Sequence, residues 1–355
     1  MARPLRVAAI PGEGAAAEAL AVAVSILEAL SLPIEWSHPL VGEAAVEQVG
    51  EPFPLEARAV IDDSDAALFG ATSGASAAAL FYLRWGRETF ANVRPTRFSP
   101  GFASPLAEPA GIDLVIVREN LEDLYVVSEG PLEGLAPLEL ASPTWQRPVA
   151  ELGSGAYALK VITERGCERV ARFAFELARR RAGQGRPGRV SCGTKHNLLS
   201  RTDGLFREAA RRAAEEYPDV EFESLLVDDL ANRLVGRPWE LDVVLLPNLY
   251  GDILSDAAAA LAGGLGIAAS GCYGEDYAYF EPVHGTAPDL QPNTVNPTAA
   301  ILSAAMMLEH LGFDHAARRL VAAVDRVYAT GAALTPDQGG SASTEEFRNA
   351  VAEAL

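Results

Sequence analysis

Residues 247–256 read Pro-Asn-Leu-Tyr-Gly-Asp-Ile-Leu-Ser-Asp. They follow an apolar run, Leu241 to Leu246, and open a long Ala-rich helical pattern, so a buried strand here hands the chain to a helix. Asp252 and Asp256 are four residues apart, which on a helix sets both carboxylates on one face, one turn from each other. Two such carboxylates can share a hard divalent cation. The plainer reading is that they complement the positive end of the helix dipole. A strand feeding a helix also implies an α/β protein, and the rest of the chain is read outward from this point.

The chain has 355 residues, 49% of them hydrophobic and 22% charged, enough for about two globular domains. The apolar run after Met1-Ala-Arg-Pro-Leu-Arg is too short for a signal peptide, and no apolar segment reaches the roughly 18 residues of a membrane span. The expectation is a soluble, cytoplasmic protein with no membrane partner. Cys167, Cys192 and Cys272 lie far apart without a C-x-x-C pair, so they read as small buried hydrophobes, not disulfide or zinc ligands. A net charge of -19 argues against nucleic acid. It also means that an anionic small molecule needs a local cluster of arginines. Lys160 and Lys195 are the only lysines.

Toward the N-terminus, Leu5 to Pro11 reads as a strand, Ala17 to Leu30 as a helix, and a second strand ends near Glu35. The turn Gly12-Glu13-Gly14-Ala15-Ala16-Ala17 allows a dinucleotide fingerprint with Glu35 as the ribose acid, although Pro11 before the first Gly favours a simple strand-to-helix turn. Ala66 to Ala71 reads as a buried strand, and strands alternating with helices imply a largely parallel sheet with ligands at the strand carboxyl ends. Arg84, Arg94 and Arg118 stand at element ends, the last delivered by a strand over Ile112 to Val117. Singly each reads as a surface ion-pair partner; together they could clamp a dicarboxylate. Val126 to Gly155 reads as a loop or arm with little regular structure, Ala156 to Thr163 as a strand. Glu168 to Arg181 reads as a helix with Val170, Phe173, Ala174 and Leu177 on one face. The strand around Val190 to Cys192 delivers Lys195, either a general base with a lowered pKa or a lysine reaching to the surface. After a helix over Gly204 to Glu216, a strand ending at Val227-Asp228-Asp229 brings a third carboxylate, Asp228.

These marks, taken in order, resemble the isocitrate/isopropylmalate dehydrogenase family of metal-dependent, β-decarboxylating 2-hydroxyacid dehydrogenases. They are Asn92-Val-Arg-Pro, Val117-Arg-Glu-Asn with Tyr125, Lys195-x-Asn197, Val227-Asp228 and Asn248-Leu-Tyr-Gly-Asp-Ile-Leu-Ser-Asp256. Glu281-Pro-Val-His-Gly-Thr-Ala-Pro-Asp289, the Asn296 to Glu309 run and Gly339-Gly340-Ser-Ala-Ser-Thr344 continue the series. The resemblance runs from about residue 5 to the C-terminus. It implies an α/β fold of two domains around a central mixed, largely parallel sheet. Residues 1–89 and 263–355 would form a discontinuous cofactor-binding domain, and 90–262 a central domain with the interface of a homodimer whose active sites are shared. It implies that Asp252 and Asp256, with Asp228 of the partner subunit, hold Mg²⁺ or Mn²⁺. Arg84, Arg94 and Arg118 would clamp the carboxylate later lost as CO₂. Lys195 would assist removal of the hydroxyl proton, Tyr125 would protonate the enolate, and Asn197 would contact substrate. NAD would lie on the loop carrying Glu281, His284, Gly285, Thr286, Ala287, Asp289 and Leu290, with Thr72 and Asn296 beside it. The Gly12 turn is thereby reduced to a loop near the nicotinamide.

The chain departs from the family at Gly12-Glu-Gly-Ala-Ala16, where Gly-Asp-Gly-Ile-Gly is usual, and at Ala71-Thr-Ser-Gly74, where a Gly-Gly-Pro turn is usual. Before the first clamp arginine it has Ala77-Ala-Ala-Leu-Phe-Tyr-Leu-Arg84 in place of the Ser and Asn of isocitrate enzymes. Leu80 and Phe81 offer no partner for a third carboxylate, and burying an unpaired charge is costly. The substrate expected is therefore a 2-hydroxy dicarboxylate, a 3-substituted malate of the isopropylmalate kind. Tartrate, malate, isocitrate or homoisocitrate stand behind it, and a non-catalytic regulatory subunit is set aside because the aspartates and the Lys/Tyr pair are all retained. Asp289 beside the ribose implies NAD over NADP, since a 2′-phosphate would meet like charge.

Overall fold

The computed structural model describes residues 3–72 and 74–355, so Ser73 of the Ala71–Gly74 turn lies outside the described residues. Among the described residues fourteen strands form in chain order: β1 Leu5–Gly12, β2 Ile34–Ser37, β3 Ala66–Ala71, β4 Ala91–Arg97, β5 Asp113–Glu119, β6 Glu129–Pro131 and β7 Ala141–Ser142. They continue as β8 Arg147–Pro148, β9 Ala156–Ala158, β10 Arg189–Thr194, β11 Glu221–Leu226, β12 Val243–Leu246, β13 Ala269–Tyr273 and β14 Ala278–Pro282. The helices are α1 Ala15–Ala29, α2 Glu43–Val49, α3 Leu55–Asp62, α4 Ala77–Phe81, α5 Glu164–Gly183 and α6 Thr202–Glu216. After them come α7 Val227–Gly236, α8 Asn248–Ala262, α9 Thr298–His310, α10 Asp314–Thr330 and α11 Thr344–Ala354.

Ten strands make one sheet in the order β11-β10-β12-β5-β4-β13-β14-β3-β1-β2. It is parallel except where β4 pairs with β5 and β13, and β13 with β14. The mixed, largely parallel sheet expected from sequence is what forms. β3 and β12 are buried along their whole length, as parallel strands covered on both faces must be. One apolar cluster joins Val7, Leu68 and Phe280 to α1, α9, α10 and α11, while another joins Val117, Val190 and Val243 to α5 and α6. Val170 and Ala174 of α5 are in that second core, with Phe173 and Leu177 packed against it. The α5 start is fixed by Thr163, whose side chain accepts from the Gly166 N–H, and the α11 start by the Ser343/Glu346 capping box. Among the described residues no helix is long and apolar enough to cross a membrane.

Three expectations need correction, the first being the strand read over Ala156 to Thr163, which is confined to β9, with Val161 making only an isolated bridge to Asp123. The segment 126–155 has more regular structure than its composition implies: β6 pairs with β9, β7 with β8, and 3-10 turns fill the gaps. Asp228 is not in a strand. The strand stops at Leu226, and Val227 begins α7, so the aspartate lies in a helix's first turn, where the dipole favours it. The unbroken apolar run Leu225-Leu226-Val227 hides that boundary from any periodicity.

Candidate active site

The β5 strand ends at Glu119, and its last pairs bring Arg118 opposite Leu246 on one side and Asn92 on the other. α8 starts one residue after Pro247 and runs across this end. Gly251 permits the approach, since a Cβ there would lie 2.7 Å from the Arg118 Cβ. Arg118 is therefore only 2% exposed. Its Nε donates to Asn248 Oδ1 at 2.9 Å, its Nη1 pairs with Asp252, and its Nη2 is buried with no partner among the described residues. Arg84 reaches the same place from a wide turn over Tyr82–Gly86, donating to the Asn120 carbonyl at 2.6 Å and to Asn248 Oδ1 at 3.2 Å. Arg94, from β4, donates to Ser255 Oγ at 2.7 Å and stands 3.3 Å from both Asp252 and Asp256.

Tyr125 sits between guanidinium groups, with Arg84 5.0 Å and Arg118 4.8 Å from its ring centre, and its hydroxyl donates to Asp252 at 2.5 Å. Burial, then the Asp252 bond, raises the phenol above its ordinary value, so it keeps its proton. Burial, with repulsion from Arg94 and Arg84, lowers Arg118 to about 10. The two aspartates are pushed apart. Burial works to raise Asp252, but the Arg118 charge and the Tyr125 bond hold it below the usual range; burial raises Asp256, which Arg94 only partly offsets. Three guanidinium groups meet here with one donor unmet, an arrangement whose chemistry suits an anion with paired oxygens.

Lys195 and Asp228 meet each other, Nζ to Oδ1 at 2.5 Å, with side chains 31% and 62% exposed. Asn197, two residues on, is exposed. Among the described residues no group of three His, Cys, Asp or Glu side chains is placed to hold a metal ion. Asp252 and Asp256 are thus hard-oxygen donors short of a third, and Asp228 of the same chain is taken by Lys195.

The Glu281–Asn296 stretch leaves β14. Burial raises Glu281 to about 7 against the pull of Arg94, Arg84 and Arg118. His284 Nδ1 lies 2.9 Å from the Gly285 carbonyl, and Nε2 is buried without a partner among the described residues. The Ala15 N–H donates to the Thr286 carbonyl at 3.0 Å, so the Gly12–Gly14 turn braces this loop. Ala287 has a φ of 45°, and Gly285, Asp289 and Leu290 face solvent. Thr72 Oγ1 accepts from the Gly74 N–H at 3.4 Å. Asn296 differs from its neighbours: its Oδ1 accepts from the Thr298 N–H at the start of α9, and its Nδ2 donates to Tyr328 and Asp337. Leu80 is half-buried, while Phe81 is 56% exposed and stands edge-on to Trp85, the ring beneath Arg84.

Sequence reasoning missed the organisers. Asn248, fully buried, accepts from Arg84 and Arg118 and donates to the Glu122 carbonyl at 3.1 Å. Glu119 holds the turn after β5 through the N–H groups of Leu121 and Glu122. The available signal was a polar residue directly after a buried strand, in a position that burial would force to find partners.

A model described as isocitrate/isopropylmalate dehydrogenase matches residues 6–351. The chain is 39% identical to the 3-isopropylmalate/3-methylmalate dehydrogenase of Methanocaldococcus jannaschii, over 98% of both chains. It is 41% identical to the isocitrate/homoisocitrate dehydrogenase of Thermus thermophilus, over 99% of this chain and 98% of that one. The crystal structure of isocitrate dehydrogenase from Methylococcus capsulatus superposes with a TM-score of 0.85 at 35% identity, covering 99% of each.

Proposed function

The chain belongs to the isocitrate/isopropylmalate dehydrogenase family, and from that premise we propose that it catalyses metal- and NAD-dependent oxidative decarboxylation of a 3-substituted malate, an alkylmalate such as 3-isopropylmalate. The observation that carries this reading is the Arg118 Nη2, buried and unpartnered between Arg84 and Arg94. A buried donor without an acceptor is costly, and a substrate carboxylate fits it. The apolar edge formed by Phe81 and Trp85 beside Arg84 suits an alkyl group at C3 better than a third carboxylate.

Asp252 and Asp256, with Asp228 of the partner subunit, would hold Mg²⁺ or Mn²⁺; paired carboxylates short of a third fit a cation completed by substrate and a second chain. The Glu281–Leu290 loop, with its unpartnered His284 Nε2, would hold NAD, and Asp289 would accept from the ribose hydroxyls. When bound, the cation supplies Lewis acidity at the substrate oxygens and the nicotinamide supplies the hydride acceptor. The protein's own part is then to orient the dicarboxylate on Arg84, Arg94 and Arg118, to take the hydroxyl proton at Lys195, and to return a proton from Tyr125 to the carbon that loses CO₂.

The reading includes a homodimer with shared sites, supported by the exposure of Lys195 and Asp228 and of Val127, Trp145 and Leu198, 74%, 63% and 75% exposed. It also includes two domains, 1–89 with 263–355 and 90–262, a division favoured by apolar clusters that draw almost wholly from one range or the other. The test is NADH formation with Mg²⁺ or Mn²⁺ across a panel of 3-substituted malates. The expected outcome is a kcat/KM roughly tenfold or more higher for an alkylmalate than for isocitrate or homoisocitrate. The reverse order would assign the chain to the activity named for its Thermus relative, and no NADH with any member would end the reading.

A further inference from the structure

The second of the two lysines is absent from the chemistry above, yet it lies at a crossing of buried charge. Lys160 Nζ stands 2.7 Å from Asp203 Oδ1 and 3.5 Å from Asp123 Oδ1, over the Tyr250 ring at 4.6 Å. Both carboxylates have side chains that are 0% exposed, and the lysine's is 15% exposed. Each carboxylate spends its remaining oxygen on a different part of the site. Asp203 Oδ2 accepts the backbone N–H of Lys195 at 2.6 Å. Asp123 Oδ2 accepts the N–H of Leu249 in the first turn of α8 at 3.0 Å, and its Oδ1 accepts the N–H of Leu124, next to Tyr125, at 2.9 Å. Asp123 holds this position at a φ of 68°, a strained conformation for a residue with a side chain.

Burial opposes the charge on Lys160, but Asp203 and Asp123 hold its pKa above the ordinary lysine value, so the ammonium persists. One cation thus ties the Lys195 turn to the Tyr125 turn and to the helix that carries Asp252 and Asp256. We propose that Lys160 is a positioning residue, which fixes the Lys195 backbone relative to Tyr125 and α8 through Asp203 and Asp123. The inference takes the roles of Lys195 and Tyr125 from the proposed function. In a dimer with shared sites it would join the half-site a chain lends to the half-site it keeps.

The test uses the full-length protein and Lys160→Arg, which retains the charge but replaces a compact ammonium by a planar fork. Because the wild type has only two lysines, Lys195 is the sole lysine amine in the variant, and its acylation by a succinimidyl ester can be followed by peptide mass spectrometry. With folding and oligomeric size unchanged, kcat should fall about tenfold or more, KM should stay within about threefold, and Lys195 acylation should change about threefold or more. If kcat or the acylation rate stays within about twofold of the wild type, Lys160 only neutralises buried charge and the proposal fails. Should Lys160→Arg not fold, Lys160→Met with Asp203→Asn, which removes one charge of each sign, is read the same way. A wild type silent toward every malate would overturn the proposed function, and the acylation rates would still decide the role of Lys160.

Discussion

Arg118 and Asp228 are both charged residues beside strand ends, and they live in opposite conditions. Arg118 is 2% exposed and held by Asn248 and Asp252, inside a network that also fixes Arg84, Arg94 and Tyr125. The Asp228 side chain is 62% exposed and pairs with Lys195. One group of residues is held within the chain except for one buried guanidinium donor; the other is presented outward. The difference teaches that charged residues beside strand ends can be fixed by their own chain or left for another surface to fix, and under the proposed function the two groups would serve one reaction. A buried set is fixed by packing, an exposed set by whatever it meets.

The comparison breaks most decisively by complementation. Tyr125→Phe disables the buried half and Lys195→Met the exposed half, each expected to lower kcat by about 10²–10⁴-fold. If the halves come from different subunits, an equal mixture of the two variants, dissociated and reassembled, yields half hybrid dimers, each with one intact site. Activity should then recover to about a quarter of the wild type. Absence of recovery in a mixture shown to contain hybrids would place both halves in one chain.

How far this arrangement was legible follows the same line. β3 was read to the residue because six consecutive buried residues between turn signals allow no other element. The long amphipathic α5 was found within a few residues at each end. That Arg84, Arg94 and Arg118 meet in one place was legible from residue types out of place in an acidic chain. The Val227 boundary was not, because a buried strand and a helix's first turn share one apolar run. Asn248, Glu119 and the Lys160 hub were not legible either. Asn248 acts through partners 126 to 164 residues away and Lys160 through carboxylates on other elements, distances over which no local pattern carries information. Glu119 acts on N–H groups only two and three residues on, but its role shows only once the strand end is buried.

A second way to sharpen the comparison is the exposed Asp289–Leu290 pair. An aspartate that accepts from ribose hydroxyls repels a 2′-phosphate, and the two effects together amount to roughly 2–4 kcal/mol. That is roughly 30- to 1000-fold in preference for NAD. Asp289→Lys with Leu290→Tyr should narrow or reverse it, as measured by the ratio of kcat/KM for the two cofactors. Because both residues face solvent, Tm should stay near the wild-type value. Equal efficiency with NAD and NADP in the unmutated enzyme would show that Asp289 does not read the ribose.

The smallest effect belongs to Glu281, whose chain leads into the loop that carries exposed Asp289 and Leu290 while its charge faces the arginines. Burial raises its pKa to about 7, and Arg94, Arg84 and Arg118, with the Tyr279 hydroxyl, only partly oppose this. In the unfolded chain a glutamate titrates near 4.3. Between these values the folded protein binds more protons than the unfolded one, so stability falls as pH rises through the window from about 4.3 to about 7 and then levels off. Glu281→Gln removes the ionisation. Its stability should be close to the wild type's near pH 4.5 and higher by on the order of 1–3 kcal/mol at pH 8, read from denaturant midpoints at each pH. Parallel pH curves for the two proteins would mean that the three arginines hold Glu281 ionised throughout. The buried half would then be balanced by this carboxylate as well as by Asp252, and less dependent on an incoming anion.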